Sequence, residues 1–139
     1  MSKSTPSARL SSGASPASPE VLTYVPDIGE WPDSWMVDQP DRAMGEAIVT
    51  VLTPFIEHLI HQGLTKRTIK HHVDNLWALG GEMITAIHWD ESLRELSARD
   101  LVLNAIDEAG GPLLRNPLDP EDQKRFDSTC RKFYKFLVS

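Results

Sequence analysis

The chain has 139 residues, of which 40% are hydrophobic and 24% charged, and its formal net charge is −6. A chain of this length forms one small domain and buries roughly 68% of the surface that its unfolded form exposes, so its core needs no disulfide or metal ion. We find no apolar run of the ~20 residues that a membrane span requires, and no secretory signal. These features predict a cytoplasmic protein without a membrane partner, and the acidic total argues mildly against nucleic acid as a ligand.

Residues 1–20 are dominated by Ser, Pro and Ala and show no periodic apolar pattern. Such a composition does not offset the entropy cost of ordering the chain. We therefore expect a disordered tail.

Residues 21–40 combine aromatic and aliphatic side chains with three prolines and several acids. Because prolines exclude a long helix, this segment is predicted to be an extended acidic arm. Two interpretations remain open. Trp31 and Trp35 either lie on the helical body and complete its core, or they anchor a protein partner.

From residue 41 onward the apolar residues follow the period of helices. The first predicted helix covers residues 42–62, with Pro54 either kinking it or dividing it into two, and Gly63 ending it. The second covers residues 66–88 after the cap residue Thr65. Gly80 and Gly81 within it indicate close helix packing or a bend.

Two further helices complete the predicted fold. The third begins after Ser97 and ends at the Gly-Gly-Pro of residues 110–112, and the fourth begins at the Asp-Pro-Glu of residues 119–121. No segment shows the alternation of a strand. The prediction is an all-α, four-helix bundle over residues 41–139, preceded by the tail and the arm.

The charges are distributed unevenly along the chain. Up to Gly63 there are three cations and eight acids, whereas the remainder carries eleven cations and twelve acids. Two basic clusters stand out. The last predicted helix turns its cations away from its apolar face, and the second begins with the other cluster. The clusters are Lys124, Arg125, Arg131, Lys132 and Lys135, and Lys66, Arg67, Lys70 and His71.

Solvation is the ordinary explanation of such basic faces. If the two helices lie side by side, however, the clusters form one phosphate-binding strip, to which the start of the second helix adds its positive dipole end.

The sequence contains few candidates for other chemistry. His58, His61, His71 and His72 do not show a recognisable metal-ligand spacing, so we interpret them as surface or hydrogen-bonded histidines. Cys130 falls on an apolar helix face and is expected to be a core residue. We find no Gly-rich phosphate loop and no catalytic motif. We therefore expect no enzymatic activity, no cofactor and no small-molecule substrate.

Two stretches carry a resemblance to a known family. Residues 55–69 read Phe-Ile-Glu-His-Leu-Ile-His-Gln-Gly-Leu-Thr-Lys-Arg-Thr-Ile, and residues 130–137 read Cys-Arg-Lys-Phe-Tyr-Lys-Phe-Leu. Both resemble segments of the core-binding, SAM-like N-terminal domain of tyrosine recombinases and phage integrases. The order of four helices is also similar, and the resemblance covers residues 45–138.

The resemblance implies that the second and fourth predicted helices face duplex DNA. It assigns DNA contacts to Lys66, Arg67, Thr68, Lys70 and His71, and to Arg131, Lys132 and Lys135. Because the sequence ends at Ser139, before the catalytic domain of that family, we expect no strand cleavage.

Residues 65–76, Thr-Lys-Arg-Thr-Ile-Lys-His-His-Val-Asp-Asn-Leu, are also similar to the recognition helix of response-regulator-type helix-turn-helix proteins. This second resemblance is local. Both resemblances identify the second predicted helix as the DNA-facing element.

Two functional hypotheses follow. The first is a non-enzymatic module that binds double-stranded DNA, as an accessory or regulatory protein of a mobile element. The alternative is a helical protein–protein interaction domain whose acidic arm recognises a partner through Trp31 and Trp35. A further hypothesis is that the acidic arm folds back on the basic face and competes with DNA.

Overall fold

A computed structural model describes residues 17–139, and these form an all-α fold without a β-strand, as predicted. The six helices are α1 (Pro19–Tyr24), α2 (Trp31–Trp35), α3 (Gln39–His61), α4 (Lys66–Trp89), α5 (Ala98–Ala105) and α6 (Pro120–Val138). Short 3₁₀ turns precede α2 and α5, at Ile28–Glu30 and Glu91–Glu95. Most of the predicted disordered tail lies outside the described residues. The tail was predicted to extend to residue 20, but α1 already begins at Pro19.

The long helices α3 and α4 form the hairpin at the centre of the fold. Pro54 lies inside α3 without dividing it, so the alternative of two shorter helices was wrong. The proline is exposed, and the neighbouring Thr53 hydroxyl donates a hydrogen bond to the Val49 carbonyl. Gly63, with a φ of 77°, reverses the chain after α3, and the Thr65 side chain caps α4.

The prediction of an extended arm over residues 21–40 needs correction, because most of this segment is helical. We call residues 19–35, which contain α1 and α2, the N-terminal segment. Pro19 and Pro32 stand in the first turns of these helices, where a missing N–H costs no hydrogen bond. The prolines therefore start short helices instead of keeping the chain extended.

Trp35 fastens the N-terminal segment to the hairpin. Its indole Nε1 donates a hydrogen bond of 2.9 Å to the Trp77 carbonyl of α4. The ring lies directly over Gly80, where a Cβ atom would overlap it, and also approaches Gly45 of α3. Of the two predicted reasons for the mid-helix glycines, close packing is therefore the one that applies at Gly80.

The fourth predicted helix corresponds to α6, which Asp119 caps by accepting hydrogen bonds from two N–H groups of the first turn. The third is shorter than predicted and ends at Ala105. After it, the Asp107 side chain accepts hydrogen bonds from the N–H groups of Ala109 and Gly110, which forms a turn in place of further helix.

One apolar core joins all of these elements. At its centre the rings of Phe55 in α3 and Phe133 in α6 stack with their centroids 4.8 Å apart. Among the described helices, α3 is the one that is long and apolar enough to cross a membrane. Its apolar residues are buried in this core, and central helices of bundles meet the same criterion.

Candidate nucleic-acid interface

Helices α4 and α6 lie side by side and run antiparallel. His72 Nδ1 lies 2.8 Å from the Thr129 hydroxyl, and the Asn75 amide donates to the Arg125 carbonyl over 3.3 Å. A later residue of α4 thus meets an earlier residue of α6. The start of α4, with one predicted basic cluster, therefore lies beside the end of α6, with part of the other.

The end of α3 reaches the same place. The Phe136 ring of α6 lies 5.4 Å from the Phe55 ring and 4.9 Å from the His58 ring, measured between centroids. A short turn then leads from α3 into α4. Three helix ends consequently meet at one end of the bundle.

Four cations of the predicted set are found where these helices end. Among residues 17–139 none of the four forms an ion pair with a carboxylate, whereas several other cations do. All four side chains are at least partly exposed to solvent. We call this group the basic end; it consists of Lys66, Arg67, Lys132 and Lys135.

A hollow of about 290 Å³ opens at the basic end between α3 and α6. Lys132 and Lys135 line it together with His58 and Gln62. Two ammonium groups, an imidazole and an amide therefore face the same small space, and each of these side chains is able to donate a hydrogen bond to an anion.

Two other cations of α6, Lys124 and Arg125, are paired with acids at the start of the helix. Arg125 Nη2 lies 2.7 Å from Asp122 Oδ1, and this hydrogen bond raises the pKa of the guanidinium. Lys124 Nζ lies 3.5 Å from a Glu121 oxygen. These two predicted DNA contacts therefore stand at the far end of α6 from the basic end, with acids beside them.

Lys70, one turn after Lys66, is paired with an acid. Its ammonium lies 3.3 Å from an Asp74 oxygen one turn along α4. The side chain lines a cleft with Tyr24 and Trp31 of the N-terminal segment, on a different face of α4 from the one that contacts α6. The predicted continuous strip is thus divided in the structure.

The remaining predicted contacts lie close to the basic end in the sequence. His71 and Thr68 are exposed, and the Thr68 N–H and hydroxyl both bond to the Thr65 hydroxyl within the cap of α4. Arg131 is exposed, and its Nη1 donates over 3.4 Å to the Ala109 carbonyl.

His72 is a residue whose role the sequence did not indicate. It lies at the α4–α6 contact, where burial lowers its pKa and the charges of Lys132 and His71 lower it further. These effects favour the neutral imidazole, and its hydrogen bond with Thr129 helps to align the two helices that carry the basic end.

The two tryptophans predicted to bind a partner are largely buried. Trp31 is 4% exposed and Trp35 is 6% exposed, as the interpretation of both as core residues requires. The acidic N-terminal segment contacts the end of α3 at one place, where Glu20 Oε1 lies 2.7 Å from His61 Nε2. Competition between this segment and DNA stays a prediction.

A buried carboxylate, Asp41, is the other feature that the sequence did not reveal. It is fully buried and accepts hydrogen bonds from His88 (2.8 Å), from Arg94 (3.2 Å) and from two backbone N–H groups. Burial opposes its ionisation, but these donors outweigh burial and lower the pKa to about 2. The network ties the start of α3 to the end of α4.

The other candidates for chemistry show no assembled site. Cys130 is buried, and burial raises the pKa of its thiol to about 12, which keeps it protonated at neutral pH. Within the described chain, no three His, Cys, Asp or Glu side chains come together in a way that would hold a metal ion.

Comparison with models of known protein families, with curated proteins and with solved structures finds no match to this chain. The function must therefore be argued from the residues themselves.

Proposed function

We propose that the protein is a non-enzymatic module that binds double-stranded DNA through the basic end. One observation carries the proposal. Lys66, Arg67, Lys132 and Lys135 come from distant parts of the sequence, lie toward the end of the bundle where three helices end, and have no carboxylate partner in the described chain. Unpaired cations on one surface are the chemistry that phosphate recognition requires.

The geometry of α4 supports the same conclusion. Its first turn directs N–H groups and a positive dipole end toward the side on which Lys66 and Arg67 stand. A phosphate bound here would interact with the helix terminus and with both side chains. The net charge of −6 is less of an objection than it first seems, because most of the excess acid precedes residue 64.

The resemblance to the core-binding domain of tyrosine recombinases fits this proposal and adds detail to it. In that family the helices corresponding to α4 and α6 face the duplex. By this analogy the four cations contact phosphates, while His71 reaches base edges in the major groove. An accessory or regulatory role for a mobile element, with a SAM-like arrangement of the four longest helices, belongs to the same proposal.

Titration of a random-sequence DNA duplex at several salt concentrations tests the proposal. We compare Lys66→Ala/Arg67→Ala with Lys124→Ala/Arg125→Ala, since each double variant removes two cations from the same chain. The slope of the logarithm of the binding constant against the logarithm of the salt concentration is negative. The first double variant should reduce its magnitude by about 1.8, at 0.9 per phosphate contact, whereas the control should leave it near that of the parent.

Circular dichroism checks that both variants keep their helices. The proposal fails if the parent shows no binding at about 50 mM salt. It also fails if the two double variants lose the same affinity, because the basic end would then have no special role.

A further inference from the structure

A second surface lies on the side of α4 that faces the N-terminal segment. A cleft of about 670 Å³ opens there between α4 and that segment. Tyr24 and Trp31 line the cleft from one side, and Trp77 lines it from α4. The cleft follows α4 from Lys70 to Trp77, which is about two turns of the helix. Its volume falls in the range typical of ligand sites.

Trp77 is held in one orientation although 46% of it is exposed. Its indole Nε1 donates to the Ser34 hydroxyl over 2.9 Å, and that hydroxyl donates to the Trp31 carbonyl over 2.7 Å. A large aromatic ring that is exposed and already ordered contributes contact area to a partner at little entropic cost. The ring is therefore suited to binding.

The charges around the cleft favour a cation. Asp27 and Asp74 line it, while the one lysine among its lining residues, Lys70, is paired with Asp74 at 3.3 Å. The lining thus carries a net negative charge beside the exposed ring of Trp77 and the half-buried ring of Tyr24. Aromatic faces attract guanidinium and ammonium groups, and a nearby carboxylate strengthens that attraction.

We propose that this cleft binds an arginine side chain of a basic peptide segment from a partner protein. Lys70, Asp74 and Trp77 on its α4 side are exposed, so the cleft accepts a side chain that is attached to a continuing backbone. Small-molecule sites instead enclose most of their ligand. The proposal does not depend on DNA binding, since none of the four cations of the basic end lines the cleft.

Isothermal titration calorimetry with the full chain tests the proposal. The probe is an acetylated and amidated pentapeptide with a central arginine between small neutral residues, and its counterpart has citrulline, which keeps the shape but lacks the charge. We expect the arginine peptide to bind about tenfold more tightly. Equal affinities would overturn the proposal, as would absence of binding at about 1 mM peptide.

Three variants locate the site. Asp74→Asn should weaken the binding of the arginine peptide. Asp33→Asn should leave that binding unchanged, because Asp33 is an acid of the N-terminal segment that lies outside the cleft. Lys70→Met should tighten binding because it removes a like charge, and partial unfolding cannot imitate a gain of affinity. Weaker binding by the Lys70 variant would contradict the proposal.

A comparison with Nα-acetyl-arginine amide distinguishes a peptide from a small cation. The pentapeptide should bind more tightly, because its flanking backbone adds contacts along the cleft. Equal affinity of the two probes would assign the cleft to a small cation and overturn the proposal of a peptide partner.

Discussion

The N-terminal segment and the basic end contain the side chains that most suggested function in the sequence, and the fold treats them in opposite ways. Trp31 and Trp35 of the N-terminal segment are packed into the core. Their rings are buried against other residues of the chain, and the indole N–H of Trp35 donates a hydrogen bond within the chain. The cations of the basic end meet no described carboxylate. The difference teaches that a conspicuous residue becomes a candidate for binding when the fold leaves its interactions unsatisfied.

The largest expected effect tests the structural role of the N-terminal segment. Trp35→Ala should lower the free energy of unfolding by about 3–5 kcal/mol, because it leaves a cavity over Gly80 and removes a hydrogen bond. Urea denaturation measures the change. The control Trp89→Ala, at a residue that is 85% exposed, should change stability by less than about 0.5 kcal/mol. Similar losses in both variants would show that Trp35 is not a core residue.

A smaller loss of stability is expected from Asp41→Asn, which weakens the network joining the start of α3 to the end of α4. Loss of charge-assisted hydrogen bonds should cost about 1.5–3 kcal/mol at pH 7. The folded pKa of about 2 lies below that of an unfolded aspartate. The carboxylate therefore stabilises the fold fully above about pH 4, and this contribution is lost as the pH falls through about 2.

Denaturation curves at several pH values measure this dependence. The gap in stability between the parent and the Asp41 variant should narrow below about pH 4. A gap that stays constant down to pH 2 would contradict an ionised, hydrogen-bonded Asp41.

At the basic end, Lys132→Ala should change binding without changing the fold. We expect the salt slope of duplex binding to fall by about 0.9, one phosphate contact. The same substitution should raise the pKa of His72, because the charge of Lys132 lowers it. NMR titration of His72 would detect this shift, and its absence would place Lys132 away from the α4–α6 contact.

The smallest effect is expected for Lys124, and it compares the two ends of α6. Lys124→Ala removes a cation whose exposed pair with Glu121 contributes no more than about 0.5 kcal/mol. We expect the free energy of unfolding to stay within about 0.5 kcal/mol of the parent. The affinity for the duplex should stay within about twofold. A loss as large as that of the Lys132 variant would extend the DNA contact along the whole helix.

Much of the fold could be predicted from local sequence patterns. The predicted helices 42–62 and 66–88 match α3 and α4 to within three residues at each end, because apolar periodicity and the Thr65 cap are local signals. The prediction of an extended arm was wrong because the signal of proline depends on its context. Proline indicates a helix interruption in one context and a helix start in another, and docking on the hairpin decides between the two.

The candidate site was predictable in its residue types but not in its extent. The two basic clusters were visible as charge runs, yet Lys70, Lys124 and Arg125 are paired with acids in the structure. Ion pairs one turn apart depend on rotamers, and contacts between α4 and α6 depend on packing. A single sequence specifies neither of these, so the buried Asp41 and the aromatic cleft were not foreseen, whereas His72 is hydrogen-bonded, in line with its interpretation from the sequence.

By itself the sequence determined the helical class, the boundaries of the longer helices and the excess of acids over cations before residue 64, since these follow from nearest neighbours and composition. The tertiary structure decided which cations are available, which tryptophans are exposed and which carboxylate is buried. Those properties arise where residues far apart in the chain exclude water from one another, and such exclusion exists only after the helices have packed.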